Sequence, residues 1–235
     1  YKPSSRSSDP EINKLDWNEC SLQSNDYFYE LLSKSLDKID YSEYPDINNQ
    51  TLLKKLALYC EVEKENIQTF NGSDFALHYI FACFLNTDTR VCLDPSIIKN
   101  LLIQHPNKLF IVDEAYFEFS GKSCAKFAKQ YKNLIVTRTF SKGFSLASIR
   151  LGYICACEEL ISVINKIRNT KEVNSFAQAL GEAALDNIEE TNKRIEKVKE
   201  NKEKLELLLQ KNSIQYIKSE ANFILVKVSD SEKIV

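Results

Sequence analysis

Two short apolar runs, 134–136 and 153–156, and the polar loop that separates them constrain the fold more than any other feature. Short apolar runs bounded by polar residues are typical of buried strands. The loop between them carries Ser141 beside Lys142, and Arg150 follows eight residues later. The sequence therefore predicts two strands of a buried sheet, with a hydroxyl, an amine and a guanidinium in the connection between them.

The surroundings of Lys142 allow two interpretations. Phe140 and Phe144 flank it, and apolar neighbours make a charged ammonium costly, which favours a neutral amine able to act as a nucleophile in Schiff-base chemistry. The alternative is an ordinary surface loop with a solvated lysine and arginine, and spacing alone favours that alternative.

A second stretch, 108–116, decides between these interpretations. Its apolar residues predict a strand that ends at Asp113, with Tyr116 three residues further on. In open α/β sheets, ligands bind at the carboxyl ends of the strands. Asp113 is therefore a candidate ligand-binding group at such an end.

The two stretches together, Asp-Glu-Ala-Tyr at 113–116 and Ser-Lys-x7-Arg-x-Gly-Tyr at 141–153, resemble the fold-type I pyridoxal-phosphate enzymes, and among them the histidinol-phosphate aminotransferases. The resemblance implies an α/β fold with a large domain, whose mixed, mostly parallel sheet is flanked by helices, and the beginning of a smaller α+β domain. It also implies that Lys142 bonds covalently to pyridoxal 5′-phosphate, that Asp113 holds the pyridine nitrogen, and that Tyr116 donates to the ring oxygen.

A glycine turn at 71–74, Asn-Gly-Ser-Asp, opens an apolar helical pattern. The free amides and the positive dipole end of a helix start can bind an anion, although Ser and Asp are also common helix caps. The resemblance implies that this turn, through Ser73 and Asp74, binds the cofactor phosphate together with Ser141 and Arg150.

Tyr44, in Tyr-Pro-Asp, resembles a family loop whose tyrosine reaches the cofactor phosphate of the neighbouring subunit. This implies a homodimer with shared active sites, and a plain turn tyrosine is the alternative.

Asn18 and Glu19 resemble the start of a family segment, Asn-Glu-Asn-Pro, that approaches the substrate. Cys20 then departs from that pattern, and a buried Trp17 that anchors an N-terminal arm is an equally good interpretation.

Composition excludes several classes of protein. Lys and Arg number 31 against 33 Asp and Glu, a balance that gives no electrostatic footprint for nucleic acid or an acidic membrane surface. With only two histidines, neither a metal site nor a Ser-His-Asp triad is expected. The seven cysteines are an odd number and several lie in apolar patterns, so we predict reduced thiols in a cytoplasmic protein.

The predicted organisation is an N-terminal arm (1–30), a large cofactor-binding domain (31–188), and a connector helix leading into a small domain (189–235). The resemblance also implies more chain between Asp74 and Asp113 than is present here, including an aromatic residue that stacks on the cofactor ring and an asparagine that contacts the ring oxygen. We therefore expect a break between Pro95 and Ile97, with Cα atoms much farther apart than about 3.8 Å.

Three functions fit these observations. The first is an aminotransferase that moves an amino group between L-glutamate and a small phosphorylated ketone. The second is a decarboxylase of a phosphorylated amino acid, since such decarboxylases share the fold and the motifs. The third is a non-catalytic sensor, which need not keep Lys142, Asp113 and Tyr116 together.

Overall fold

The computed structural model describes residues 18–19, 25–40, 42–84 and 94–228. Trp17 and Cys20 lie outside these residues. The described chain forms a central sheet with helices packed on both faces, followed by a long helix and a small second sheet. The predicted α/β architecture is confirmed.

The elements follow one another along the chain with short connections. The helices are α1 (Asn25–Leu36), α2 (Gln50–Cys60), α3 (Ser73–Phe84), α4 (Pro95–Gln104), α5 (Phe117–Ser120), α6 (Glu158–Asn165), α7 (Ser175–Asp186) and α8 (Ile188–Lys211). The strands are β1 (Ile67–Phe70), β2 (Phe110–Asp113), β3 (Leu134–Thr139), β4 (Gly152–Ala156), β5 (Tyr216–Ile217) and β6 (Leu225–Val226).

The central sheet is mixed, in the order β1-β4-β3-β2. Strand β4 pairs antiparallel with both β1 and β3, whereas β2 and β3 pair in parallel. Strands β1, β2 and β3 therefore point the same way and β4 alone is reversed. The carboxyl ends of three strands and the amino end of β4 meet at one edge of the sheet.

Alternation along β3 and β4 explains why helices cover both faces. Leu134, Val136 and Tyr153 belong to an apolar cluster with α2 and α7, while Ile135 and Ile154 belong to a second cluster with α3 and α6. Both strands are buried along their whole length, which matches the apolar runs from which they were predicted.

The predicted break between Pro95 and Ile97 is wrong. The chain is continuous there, because α4 begins at Pro95 and Asp94 caps it. The Asp94 side chain accepts from the Ser96 amide at 3.0 Å, and the Asp94 carbonyl accepts from Ile97 at 2.9 Å. A proline in the first turn is compatible with a helix, since no intrahelical donor is lost there.

The division into domains stays a prediction. Helix α1 runs across the predicted limit of the arm at residue 30 and buries Leu31 in the core of the large domain. Helix α8 begins at Ile188, close to the predicted start of the connector. Of the helices that the structure describes, none is long and apolar enough to cross a membrane.

Candidate active site

One edge of the central sheet gathers the predicted site residues. Strand β1 ends just before the 71–74 turn, β2 ends at Asp113, and β3 ends two residues before Ser141. Arg150 reaches the same edge from the opposite direction, since it precedes the reversed β4. The topology thus brings the anion turn, the carboxylate, the amine and the guanidinium to one place.

The 71–74 turn is built by two glycines. Gly72 has φ of 83°, which glycine adopts without strain. A Cβ on Gly152 would lie 2.4 Å from the Ser73 nitrogen, so the turn packs directly on β4 because that position has no side chain. Helix α3 then begins at Ser73, and its first amides are available to an anion.

Arg150 lies against this turn. Its Nη2 donates to the Asp74 carboxylate at 3.0 Å and would be 2.6 Å from a Cβ on Gly72. The backbone of Arg150 is left-handed, with φ of 54°, and its Nη1 donates to the Ala147 carbonyl at 3.3 Å. The Asp74 carboxylate therefore orients the guanidinium, and an anion at the turn would meet backbone amides and Arg150.

Asp113 ends β2 with its side chain exposed at the sheet edge. Its Oδ1 accepts from the Thr137 hydroxyl at 3.2 Å and from the Ala115 amide at 3.0 Å. Thr137 is its direct neighbour across the parallel β2–β3 pair. The sequence analysis missed Thr137, although the pairing of two apolar runs places it opposite Asp113.

Lys142 lies in a compact loop, residues 140–146, which we call the Lys142 loop. The Leu146 amide donates to the Phe140 carbonyl at 3.0 Å, and the Ser145 amide donates to the Lys142 carbonyl at 3.1 Å. Phe140 and Phe144 are fully buried and stacked, with ring centroids 4.4 Å apart. The predicted flanking aromatics therefore hold the loop, and Lys142 itself is half-buried.

Ser141, at the start of the Lys142 loop, is nearly buried. Its hydroxyl accepts from the Thr139 hydroxyl at 3.0 Å, and its amide donates to the same Thr139 oxygen at 3.1 Å. The Ser141 hydroxyl hydrogen is left to donate to a ligand at the sheet edge.

Tyr116 connects Lys142 with distant parts of the chain. The Lys142 Nζ lies 5.9 Å from the centre of its ring, and Phe223 packs edge-on against the same ring at 5.5 Å. Asn18 donates to the Tyr116 hydroxyl at 3.3 Å, and Asn222 donates to the Asn18 carbonyl at 2.9 Å. Because the phenol oxygen already accepts from Asn18, its own hydrogen is left to donate elsewhere.

Tyr44 lies in the loop between α1 and α2 and has a lysine as its neighbour. Its side chain is 77% exposed, and the ammonium of Lys171 lies 3.7 Å above its ring. The described residues thus leave Tyr44 at the surface, where a second subunit could be reached.

A buried ion pair, which the sequence analysis did not predict, stabilises β3 next to the site. The Arg138 side chain is 2% exposed and the Glu114 side chain 6%, with Nη2 and Oε2 2.9 Å apart. Ser123 donates to the same carboxylate, while the guanidinium lies 3.6 Å from the centre of the Phe117 ring. Arg138 neighbours Thr137 on β3, so this pair fixes the strand that orients Asp113.

Glu118 is a second buried acid that was not predicted. Part of the residue is exposed, but both carboxyl oxygens are enclosed beneath Gly143. Burial raises the pKa of this carboxyl to about 7. Nothing in the local sequence distinguishes it from a solvated glutamate.

A cleft of about 450 Å³ opens beside the sheet edge. Asp113 and Tyr116 line one wall, and Ala221 and Phe223 line the other. No group of three or more His, Cys, Asp or Glu residues that could hold a metal ion occurs in the described ranges. Of the predicted site residues, Asp113 and Tyr116 line this cleft, whereas Lys142 and the anion turn are not among its lining residues.

Comparison with known proteins identifies the family. Residues 92–234 match the model of aminotransferase class I and II. A dihydroxyacetone phosphate transaminase of Campylobacter jejuni is 32% identical over 244 aligned residues, which cover 78% of this chain and 66% of that protein. A histidinol-phosphate aminotransferase of Carboxydothermus hydrogenoformans is 39% identical over 156 residues, which cover 66% of this chain and 44% of that protein.

A solved structure shows the same fold. Histidinol-phosphate aminotransferase of Sinorhizobium meliloti, in complex with pyridoxal-5′-phosphate, superposes with a TM-score of 0.77 at 17% identity. The match covers 92% of this chain and 76% of that one. The predicted fold class, with three of four central strands parallel, is confirmed.

The chain spans less than two thirds of the length of the two curated relatives named above. The Campylobacter alignment is longer than the 235 residues of this chain, so the relative contains internal residues without a counterpart here. The expectation of more chain between Asp74 and Asp113 in the family stays a prediction, and no break occurs at Pro95.

The residues gathered at the sheet edge fit the cofactor of this family, pyridoxal 5′-phosphate. The turn that Gly72 and Gly152 make possible offers amides to a phosphate, with Arg150 beside it. Asp113 offers a carboxylate to a ring nitrogen, and Lys142 offers an amine to an aldehyde. Both the family and the residues of the site indicate pyridoxal 5′-phosphate as the cofactor. The chain belongs to the class I and II aminotransferases, a family of fold-type I pyridoxal-phosphate enzymes, and lies close to the histidinol-phosphate aminotransferases.

Proposed function

We propose that this protein is an aminotransferase that moves an amino group between L-glutamate or 2-oxoglutarate and a small phosphorylated ketone. The observation that carries the proposal is the arrangement of the sheet edge, where β1, β2 and β3 end beside one another with the anion turn, Asp113 and the Lys142 loop. Dihydroxyacetone phosphate, in the name of the Campylobacter relative, is itself a small phosphorylated ketone.

When bound, the cofactor supplies an electron-withdrawing ring that stabilises negative charge at the α-carbon of the substrate. In our proposal Asp113 binds the protonated ring nitrogen, and Thr137 and the Ala115 amide hold the carboxylate in position. A carboxylate that is already fixed beside a cationic ring stabilises the ring's charge without reorganisation during the reaction.

Lys142 would hold the cofactor covalently, and its amine would move a proton to and from the α-carbon of the substrate. Tyr116 donates its hydroxyl hydrogen to the ring oxygen, which its hydrogen bond from Asn18 permits. Asn18, the proposed substrate contact, would then lie close to the ring oxygen that Tyr116 contacts. Its link to Asn222 ties this segment to the start of the small domain.

The phosphate contacts come from four residues. Ser73 and Asp74 contribute helix-start amides, Ser141 contributes its hydroxyl, and Arg150 contributes a planar guanidinium that suits a phosphate. The carboxylate of Asp74 faces Arg150 and orients it, so its charge is already paired.

We also propose a homodimer in which Tyr44 reaches the phosphate of the neighbouring subunit, because its ring is exposed and lies in the loop that resembles the family loop. Co-expressed Lys142→Ala and Tyr44→Phe chains test this, since hybrid dimers then contain one doubly damaged site and one intact site. Hybrid activity equal to the average of the two parents would show that the loop is not shared.

A cytoplasmic location is proposed because Cys60, Cys83, Cys124, Cys155 and Cys157 form no disulfide in the described part of the chain.

The decisive experiment is borohydride reduction of the protein after addition of pyridoxal 5′-phosphate, followed by peptide mass spectrometry. We expect one pyridoxyl label, on Lys142, which Lys142→Ala abolishes and the exposed control Lys54→Ala retains. With L-glutamate, the wild-type protein should then release 2-oxoglutarate. A label on another lysine would overturn the assignment, and carbon dioxide released from a phosphorylated amino acid would indicate a decarboxylase instead.

A further inference from the structure

Glu118 lies directly beneath the backbone of the Lys142 loop. A Cβ built on Gly143 would be 2.5 Å from the Glu118 Cβ, 2.6 Å from its Cγ and 2.9 Å from its Oε2. These distances are too short for any side chain at 143, so the loop and the acid are in direct van der Waals contact. Gly143 follows Lys142 immediately, and a shift of Glu118 would therefore move the backbone that carries the amine.

The carboxyl group itself is enclosed. Both oxygens are shielded from solvent; the Tyr59 phenol and the amide of Glu118 itself approach the carboxyl, but neither makes a hydrogen bond of good geometry with it. An ionised carboxylate in such a place would lack water and well-formed hydrogen bonds, and this costs far more than burial of a neutral acid. Geometry alone thus favours the protonated form.

The charged and titratable groups around Glu118 do not change this conclusion. Arg138 on β3 attracts the ionised form, but Glu114 already pairs with that guanidinium and itself repels a second negative charge. Cys60 on α2 also disfavours ionisation of Glu118. The Tyr59 phenol, from the same helix, is buried, and both burial and the Glu118 charge raise its pKa.

We propose that Glu118 is a positioning residue for Lys142, whose protonated carboxyl holds the Lys142 loop in place and whose ionisation releases the loop. The proposal rests on the proposed role of Lys142 for its functional meaning. The first test is therefore made without the cofactor, so that the two ideas can fail separately.

The direction of the pH dependence follows from linkage. The pKa of Glu118 is raised to about 7 in the closed structure, above the ordinary value of about 4.5 that it would regain in an opened loop. The closed loop therefore binds the proton more tightly, and its advantage is lost as pH rises from about 4.5 to about 7. Above pH 7 both forms are ionised and the dependence levels off.

Hydrogen exchange of the Ser145 and Leu146 amides measures this opening, because both donate hydrogen bonds within the loop. After correction for intrinsic exchange, we expect their protection to fall about 70-fold between pH 5 and pH 8, mostly below pH 7. Glu118→Gln, which is neutral at every pH and of equal size, should abolish the fall. Glu118→Ala should lower protection at every pH without a pH step.

Two controls accompany the measurement. The Asn212 amide, at the end of α8, should show no such fall in protection. The exposed-site variant Glu203→Gln should leave the protection of the loop amides unchanged. Persistence of the fall in Glu118→Gln, or an equal fall at Asn212, would overturn the proposal.

Labelling of Lys142 by pyridoxal 5′-phosphate and borohydride then separates the two ideas. A label on Lys142 without the pH-dependent protection overturns only the role of Glu118. If the protection depends on pH but Lys142 is not labelled, the role of Glu118 in holding the loop is supported and the proposed function is overturned.

Discussion

Replacing Arg138 with methionine should lower the free energy of unfolding by about 3 kcal/mol. Both partners of the Arg138–Glu114 pair are nearly inaccessible to water, and loss of one partner of such a pair typically costs about 3–5 kcal/mol because the other charge stays buried. The lost contact with the Phe117 ring adds to the cost. The donors that Glu114 keeps, Ser123 and the Cys124 amide, reduce it, which places the estimate at the lower end.

Urea unfolding of a double-mutant cycle measures this effect. Arg138→Met and Glu114→Gln should each be strongly destabilising, whereas the double variant should recover about 2 kcal/mol relative to the sum of the two. The exposed pair of Lys132 and Glu159 provides the matched control, and Lys132→Met should leave stability nearly unchanged. An additive cycle, or a loss below about 1 kcal/mol for Arg138→Met, would refute the reasoning.

Three further predictions concern the site. Gly152→Ala places a methyl group 2.4 Å from the Ser73 nitrogen, so it should lower the free energy of unfolding by about 2 kcal/mol and weaken phosphate-dependent cofactor binding, as fluorescence titration would show. The unfolding free energy of the wild-type protein should fall by about 3 kcal/mol between pH 4.5 and pH 7, because the raised folded-state pKa of Glu118 makes its ionisation on unfolding favourable there. Glu118→Gln should abolish this fall, and urea titrations across this pH range test it. Asp113→Asn should retain the cofactor but slow transamination about 100-fold or more in a glutamate assay, and near-normal turnover would contradict its role.

Strands β2, β3 and β4 were predictable because their apolar runs are short and bounded by polar residues. Strand β1 was missed, since its central residues, Gln68 and Thr69, are polar and yet buried. Their burial depends on neighbours far away in the sequence, which no local pattern reveals. A strand of four residues with two polar ones has the composition of a loop.

The position of the candidate site was predictable from the chemistry and spacing of Lys142, Asp113 and Arg150, whose roles stay predictions. The site was not predictable where a residue acts through what encloses it. Arg138 and Glu118 have the sequence surroundings of ordinary surface charges, and only the packing of β3 and α5 against α2 makes them buried. Their burial is a product of tertiary contact.

The reversed strand β4 has a consequence for how the protein folds. It lies between β1 and β3, and Asn66, just before β1, donates to the Ala156 carbonyl across 90 residues of sequence. Contacts of such separation form slowly, because the entropy of closing a long loop must be overcome before any pairing is gained. The anion turn and the Lys142 loop meet only when this closure is complete. We therefore expect a nascent chain to acquire its cofactor late, after the segment through β4 has been synthesised and has docked.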